Sequence, residues 1–426
     1  MSTPGGRKAS LLPPDDSNDA FLPQGPGPGP GPGLLDAIDT RLAATDAALD
    51  ADEAARARLA ARDPEPVHVC YVPADRVTDA TAREWGDEAT AALDRLADDP
   101  ELPAVLGVSP EDLRDALPRV ARTLAVQPVA DLRADLEDGF GHRGDDEEDA
   151  AAVAAARALA ALLAAERGPA RGGPRVKSME RATRRRGLRS WALFVDAFTT
   201  AGGDPSRLRV TLPKVSAPAQ VAAFVEATAA VEARHGIGPM PVELQIETPR
   251  GAQRVDELVA AAGARAAGLH YGTYDYSASL GIAPDQQRAD HPAAEHAKFA
   301  MQLAGAAAGV PVCDGSSAVL PVGDRAAVLA AWGIQARIVR RALELGIGQG
   351  WDMHPAMVPA RLVVVTAVHR AGLLAAVTRL RAYRAGAASG TLDEPATERA
   401  LVGFLRRGVA CGAVDADEVA GLLGPS

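Results

Sequence analysis

Short apolar, β-branched runs alternate along the chain with longer Ala-rich segments whose apolar residues fall at helical spacing. Val67-His68-Val69-Cys70-Tyr71-Val72 is the first such run, and Pro73 stops it, so it reads as a buried strand. Further runs near 131–136, 174–178, 208–213, 241–247, 267–272, 309–314 and 348–353 bring the number of predicted strands to eight. From the second run onward each ends on a polar residue: Asp135, Lys177, Lys214, Glu247, Asp275, Asp314 and His354, at steps of 28 to 42 residues. A strand–helix unit in a parallel sheet needs roughly 30 residues or more. Eight such units predict a closed (β/α)8 TIM barrel, not an open sheet, and no GxGxxG follows an early strand. In barrels the chemistry sits at the C-terminal ends of the strands, where these polar residues fall.

Helices are expected at roughly 77–97 and 110–124, and a helical extension from Leu34 to about Arg62 precedes the first strand. That extension carries apolar Leu35, Ile38, Leu42 and Leu49, and Pro64 follows its end. After His354 a long helix is expected over about 356–384, then a loop from Gly386 to Pro395 and two short helices. Gly25 to Gly33 alternates glycine and proline, a composition that neither holds a helix nor buries a core. The expected organisation is a disordered tail over 1–33, an N-terminal helix over 34–66, a barrel over 67–357 and a C-terminal helical segment over 358–426.

Composition narrows the function. The chain has 426 residues, 47% hydrophobic and 24% charged, which suffices for one large core. A formal net charge of −11 argues against non-specific binding to nucleic acid or anionic membrane. Three dispersed cysteines, Cys70, Cys313 and Cys411, with no CxxC, read as reduced thiols of a cytoplasmic protein. No secretory leader and no membrane span are expected, because no apolar run approaches 18 residues unbroken.

Five constellations could carry chemistry. Glu247 and Asp275 end successive strands, and adjacent strands lie about 4.8 Å apart, so both carboxylates can reach one ion. Two carboxylates with water and substrate oxygens suit Mg²⁺ or Mn²⁺. The competing reading is that both acids cap the helices that follow. Asp135-Leu136-Glu137-Asp138-Gly139 offers acids for an outer metal shell or a general base, or is a solvated loop. The basic stretch from Arg175 through Lys177 to Arg189 can fix a carboxylate or phosphate, although Arg181–Arg189 also fits an ion-paired helix face. Arg175 stands apart, because a charged residue on a strand needs a reason. Lys214 fits an ion pair to neighbouring strand-end acids better than a Schiff base. His354, before Pro355, reads as a structural turn residue.

These motifs, in this order, resemble the aldolase/citrate lyase family, which includes citrate lyase β-subunits, malyl-CoA lyases and pyruvate-dependent class II aldolases. The resemblance rests on Asp135-Leu136-Glu137-Asp138, Leu212-Pro213-Lys214-Val215, Gln245-Ile246-Glu247-Thr248, Gly272-x-x-Asp275 with Leu280-Gly281, Pro311-x-x-Asp314-Gly315 and His354-Pro355. It spans roughly Val67 to Met357. It implies a (β/α)8 barrel, often trimeric or hexameric, with Mg²⁺ on Glu247 and Asp275 and with Gln245 beside the metal. It implies that Arg175 grips a substrate carboxylate while negative charge develops on an enolate. The family's third strand usually reads Arg-x-Asn, whereas this chain has Arg175-Val176-Lys177-Ser178. The aldolase branch carries a histidine where Asp138 falls, and His142 lies four residues further on. These departures mark a divergent branch.

The expectation is a Mg²⁺- or Mn²⁺-dependent carbon–carbon lyase or aldolase acting on a 2-oxo or 3-hydroxy acid, with an acyl-CoA thioester as a further candidate. Glu247 and Asp275 bind metal, Arg175 binds substrate with Gln245 and Lys177, Lys214 and Glu137 organise the shell, and Asp138 is the candidate base. The alternatives are a barrel that binds an oxo-acid or thioester without turnover, or a malate-synthase-like condensing or phosphoenolpyruvate-utilising enzyme.

Overall fold

The computed structural model describes residues 32–386 and 394–423. Residues 1–31 of the expected tail and most of the loop expected after Gly386 lie outside the described residues, and Pro32 and Gly33, expected in the tail, begin a helix. Contacts divide the chain after Ala54. The described part of the first unit is the helix that begins at Pro32; this helix, α1, runs Pro32–Ala61, and Ile38, Leu42 and Leu49 on it are exposed.

The second unit, from Ala55, is the barrel. Its strands are β1 (His68–Pro73), β2 (Asp131–Asp135), β3 (Arg171–Arg175), β4 (Val210–Leu212), β5 (Val242–Ile246), β6 (Ala266–Tyr271), β7 (Val312–Asp314) and β8 (Gln349–Asp352). They pair in sequence order, all parallel, and β8 closes on β1 with His68 opposite Gly350 and Cys70 opposite Asp352. The helices after α1 are α2 (Thr81–Asp94), α3 (Leu102–Leu106), α4 (Pro110–Val126), α5 (Asp145–Ala164), α6 (Arg184–Thr200), α7 (Pro218–His235), α8 (Pro249–Gln253), α9 (Val255–Ala262), α10 (Thr273–Ser279), α11 (Pro292–Ala308), α12 (Arg325–Glu344), α13 (Val358–Arg384) and α14 (Pro395–Ala410).

The third strand lies three residues earlier than its predicted position. Its sequence, Arg171-Gly172-Gly173-Pro174-Arg175, has no β-branched residue, so no apolar run marks it. Glycine is required there by close approach. A Cβ at Gly173 would collide with the backbone carbonyl of Arg209, and one at Gly172 would press on Leu159 and the carbonyl of Leu132. Arg175 is therefore the last residue of β3, and Lys177 lies beyond its end.

Outward-facing residues of the strands, among them Leu132, Val210, Leu212, Leu244, Ile246 and Leu269, join one core with Leu159, Trp191, Phe194, Phe198, Phe224 and Leu258 from the helices. The barrel interior is different. Period-two alternation turns Asp131, Arg133 and Asp135 of β2 inward, toward Thr211 of β4 and Glu243 of β5. Arg133 is fully buried; it pairs with Asp131 and with Glu243, and its Nε also donates to Thr211 Oγ1 at 3.1 Å. Its two acids more than offset burial and hold the guanidinium in the charged form. Beside them His270 Nε2 lies 3.4 Å from Glu243, and its Nδ1 lies 3.3 Å from the Tyr71 hydroxyl. Burial pushes His270 down to about 4, against the pull of Glu243, so the ring is neutral at physiological pH.

Helix α13 is by length and composition apolar enough to cross a membrane, although Arg361, His369 and Arg370 interrupt its apolar run. Its first half is buried, from Val358 to Ala367. Within it Arg361 pairs with Asp352 at 2.9 Å, so core packing accounts for its apolar content. Its second half forms a separate cluster with α14 through Ala376, Leu380 and Leu405.

Removing one partner from a buried ion pair leaves an uncompensated charge, at about 3–5 kcal/mol. Arg133→Met is expected to lower the unfolding free energy by that order in chemical denaturation. The triple variant Arg133→Met, Asp131→Asn, Glu243→Gln is expected to recover much of the loss. A single variant as stable as wild type would mean that the interior network contributes nothing.

Candidate metal and substrate site

The site lies at the C-terminal mouth of the barrel and is built outward from Asp135. This last residue of β2 accepts the backbone N–H groups of Glu137 at 3.0 Å and Gly139 at 2.8 Å, which turns the following loop back over the strand end. A Cβ at Gly139 would collide with the Asp135 carboxylate. The same carboxylate accepts a two-pronged contact from Arg175, Nε at 2.7 Å and Nη2 at 2.5 Å. Arg175 is 3% exposed, and its guanidinium lies 5.0 Å from the Tyr71 ring centre and 5.6 Å from that of Trp351. Burial works against its charge, but Asp135 and Glu137 hold its pKa well above the ordinary arginine value.

Gln245 links this cation to the acids. Its Oε1 accepts from Arg175 Nη1 at 3.4 Å, and its Nε2 donates to Glu247 Oε2. Glu247 follows β5 and is buried, and its Oε1 accepts the backbone N–H of Lys214 at 2.7 Å. A Cβ at Gly272 would collide with the Glu247 carboxylate, so this glycine leaves the space that the acid fills.

Lys214 organises the rest. Its φ of 52° is the only positive value at a non-glycine among the described residues, a left-handed turn at the end of β4. That turn aims the N–H at Glu247. The ammonium meets Glu137, Asp138 Oδ2 at 2.9 Å and Asp275 Oδ2 at 3.0 Å. Burial disfavours its charge, but Glu247 and Glu137 outweigh burial and keep it protonated.

The carboxyls separate by environment. Burial, reinforced by Glu137 and Asp275 and opposed by Lys214 and Arg175, pushes Glu247 up to about 8. Burial likewise raises Glu137 to about 7, against Arg175 and Lys214. For Asp138 burial is outweighed by hydrogen bonds with Glu137 and Lys214, which hold it below the usual carboxylate range. Asp275, on the first turn of α10, is 43% exposed at its side chain.

The structure thus brings Glu137, Asp138, Arg175, Lys214, Gln245, Glu247 and Asp275 into one continuous network. It does not bring Lys177 to them. The Lys177 ammonium donates to the Leu136 carbonyl at 2.7 Å and pairs with Glu148 of α5 at 3.0 Å, which turns it toward α5 and away from the substrate-binding position expected for it. The basic stretch after it is an α5–α6 seam, with Arg186 and Arg189 on Asp149. Asp314 pairs with buried Lys298 at 3.0 Å, and His354 caps the turn after β8 by accepting from Ala356 N at 3.2 Å. His142 is exposed in the loop before α5. Tyr71 and Trp351 are not among the residues expected at the site, and Asp135 is expected only as one of three acids at its strand end. The signal for Asp135 is the alternation Asp131-x-Arg133-x-Asp135 itself, which places charge on one face of a strand.

Among the described residues no three His, Cys, Asp or Glu side chains converge at metal-ligand spacing. The donor set nevertheless suits a hard divalent ion, which is bound through one or two carboxylates with water and substrate completing its shell. Glu247 and Asp275 supply two carboxylates, and Lys214 supplies the balancing positive charge between them.

Fold and site together describe a (β/α)8 barrel with a carboxylate–arginine centre at its C-terminal mouth. The chain belongs to the family described as a domain of unknown function, DUF6986, which it matches over residues 48–425. Among solved structures it is similar to a citrate lyase from Burkholderia xenovorans LB400, with 23% identity, 86% of this chain and 99% of that one covered, and a TM-score of 0.55. It is also similar to the protein CitE from Mycobacterium tuberculosis in complex with magnesium, acetoacetate and coenzyme A, at 24% identity, 82% and 98% coverage and a TM-score of 0.49. Malate synthase from Haloferax volcanii matches at 15% identity, 84% and 94% coverage and a TM-score of 0.48. No curated protein matches the chain. The expected kinship with citrate lyase-type barrels therefore holds at the level of the fold.

The raised pKa of Glu247 has a defined sign. A carboxyl that holds its proton to about 8 in the folded, metal-free protein stabilises the fold relative to an ordinary carboxyl only at low pH. Its contribution is full below the ordinary value near 4.5 and is lost as pH rises through 8. The stability of metal-free Glu247→Gln relative to wild type is therefore expected to rise between pH 5 and 8, by on the order of 3 kcal/mol, and to level off above. Urea denaturation across that range measures it, and a flat difference would show that Glu247 is already ionised.

Proposed function

We propose that the chain is a metal-dependent carbon–carbon lyase or aldolase that acts through an enolate on a 2-oxo or 3-hydroxy acid, with an acyl-CoA thioester as a further candidate. The observation that carries this reading is the Gln245 bridge, which ties the buried Arg175 fork to the buried Glu247 carboxylate. In this reading Glu247 and Asp275 hold Mg²⁺ or Mn²⁺. The cation would supply Lewis-acid stabilisation of negative charge. Arg175, clamped by Asp135, presents Nη1 to a substrate carboxylate or developing oxyanion without reorganisation. Gln245 orients both partners. Glu137 is the better proton carrier, since it lies near 7 while Asp138 is held ionised. Lys214 keeps the acids together and balances their charge.

A second reading, an oxo-acid-binding barrel without turnover, draws on the Lys214 ammonium, which already contacts Glu137, Asp138 and Asp275. Turnover separates the two. Purified protein is incubated with a panel of 2-oxo, 3-hydroxy and acyl-CoA acids, with Mg²⁺ or with EDTA. The expected outcome is cleavage or condensation that EDTA abolishes, Glu247→Ala eliminates, and Arg175→Lys lowers at least about 100-fold in kcat/KM. Activity that survives both EDTA and Glu247→Ala would overturn the proposal. Calorimetric binding with no product over long incubation would establish the second reading.

A further inference from the structure

The opposite end of the barrel holds a cavity of about 600 Å³ between the starts of β7 and β8 and the last helix, α14. That volume is in the range of small-molecule sites. Arg399, Arg406 and Arg407 line it from one face of α14, at the spacing that places successive turns side by side, and Arg62 lines it from the barrel side. Two of these cations lack a counter-charge. Arg62 is occupied by Glu65 and by the Ala267 carbonyl, and Glu398 is taken by Arg384. Arg399 and Arg407 have no carboxylate partner within ion-pair distance among the described residues, and the remaining acid of the lining, Asp63, is exposed. Partial burial lowers the pKa of Arg407, with Cys411 acting the other way, while the residue still reaches solvent.

A second, independent observation points into the same space. Gln349 at the start of β8 lines the cavity and is 5% exposed, and its Nε2 has no hydrogen-bond partner. A buried amide donor without an acceptor costs about 1–3 kcal/mol. An oxygen-rich anion in the cavity would meet both unpaired guanidinium groups, with Gln349 in the same wall and its donor reached by a shift of that side chain. The remaining wall is apolar, with Val310, Val312, Ile347 and Val402, which suits a carbon body attached to that anion.

We propose that this cavity is a second ligand site, at the end of the barrel away from the carboxylate–arginine centre, for a small molecule that carries a multiply charged oxyanion of the phosphate type on an apolar body. Guanidinium forks match such oxygens in pairs. In an acidic chain of net charge −11, two unpaired arginines beside an orphaned donor mark where a local anion belongs.

The test is isothermal calorimetry on the full, metal-free chain with three probes: phenyl phosphate, inorganic phosphate and phenol. Phenyl phosphate is expected to bind at one site per chain, several-fold tighter than inorganic phosphate and far tighter than phenol. The double variant Arg399→Ala, Arg407→Ala is expected to weaken it at least about tenfold, and Gln349→Met to weaken it less. The two arginines reach solvent, so circular dichroism should show the double variant folded. Glu247→Gln, at the other end, is expected to leave the affinity unchanged. Absence of phenyl phosphate binding, equal binding by the folded double variant, or loss of binding in Glu247→Gln would each overturn the proposal.

Discussion

Charge inside this barrel has nowhere to go but to other charge. An isolated ion loses many kcal/mol of hydration on entering such an interior, so each must be matched where the fold puts it. β2 and β5 meet this demand in layers. Arg133 is held by Asp131 and Glu243 in the middle of the barrel, and Arg175 is held by Asp135 nearer the mouth. Branched aliphatic layers commonly fill such interiors. Here a polar column stands beside a smaller cluster of Val69, Tyr71, Cys313 and Trp351, and its last layer forms the candidate site. Arg175 is rigid because the same pairing that makes it tolerable in the core also fixes its orientation.

That arrangement explains what the amino-acid pattern disclosed and what it concealed. Strands such as β1 and β5, with apolar or β-branched outward residues, were legible because burial on the helix side leaves a run of Val, Leu and Ile. β3 was displaced because glycine, not bulk, creates its fit: Gly172 and Gly173 admit Leu159 and the Arg209 carbonyl. The shift moved Lys177 off the strand end, and with it went the reason to aim it at a substrate. Glu247, Asp275 and Lys214 were legible because each ends a strand or begins the following turn. Asp135 was visible only as one acid among several. Its hold on Arg175 depends on register, which the linear pattern does not carry. The α13 helix shows the converse problem, since apolar length alone does not distinguish a core helix from a membrane span.

The acids at the mouth divide their work through solvent access. Glu247 and Glu137 lie where burial favours the protonated form, whereas Asp138 and Asp275 reach solvent and are neutralised by Lys214. Groups of one chemical type thus span several pH units within one cluster, which is how a single site can hold a proton and a charge at once. The family to which the chain belongs is described only as a domain of unknown function. Its fold is similar to that of a citrate lyase, and the link from Arg175 to Glu247 through Gln245 is the local feature on which the proposed activity rests.

Lys214 acts through two atoms of different kinds. Its ammonium is removed by substitution, but the N–H that reaches Glu247 belongs to the backbone and to a φ of 52°. A replacement that keeps the left-handed turn therefore reports on the charge, and a tolerant result at this position would understate what the residue does. Replacing the amide by an ester at the same place, through chemical ligation, would remove the donor while sparing the side chain. The two contributions are separable in that way, because one belongs to the side chain and the other to the path of the main chain.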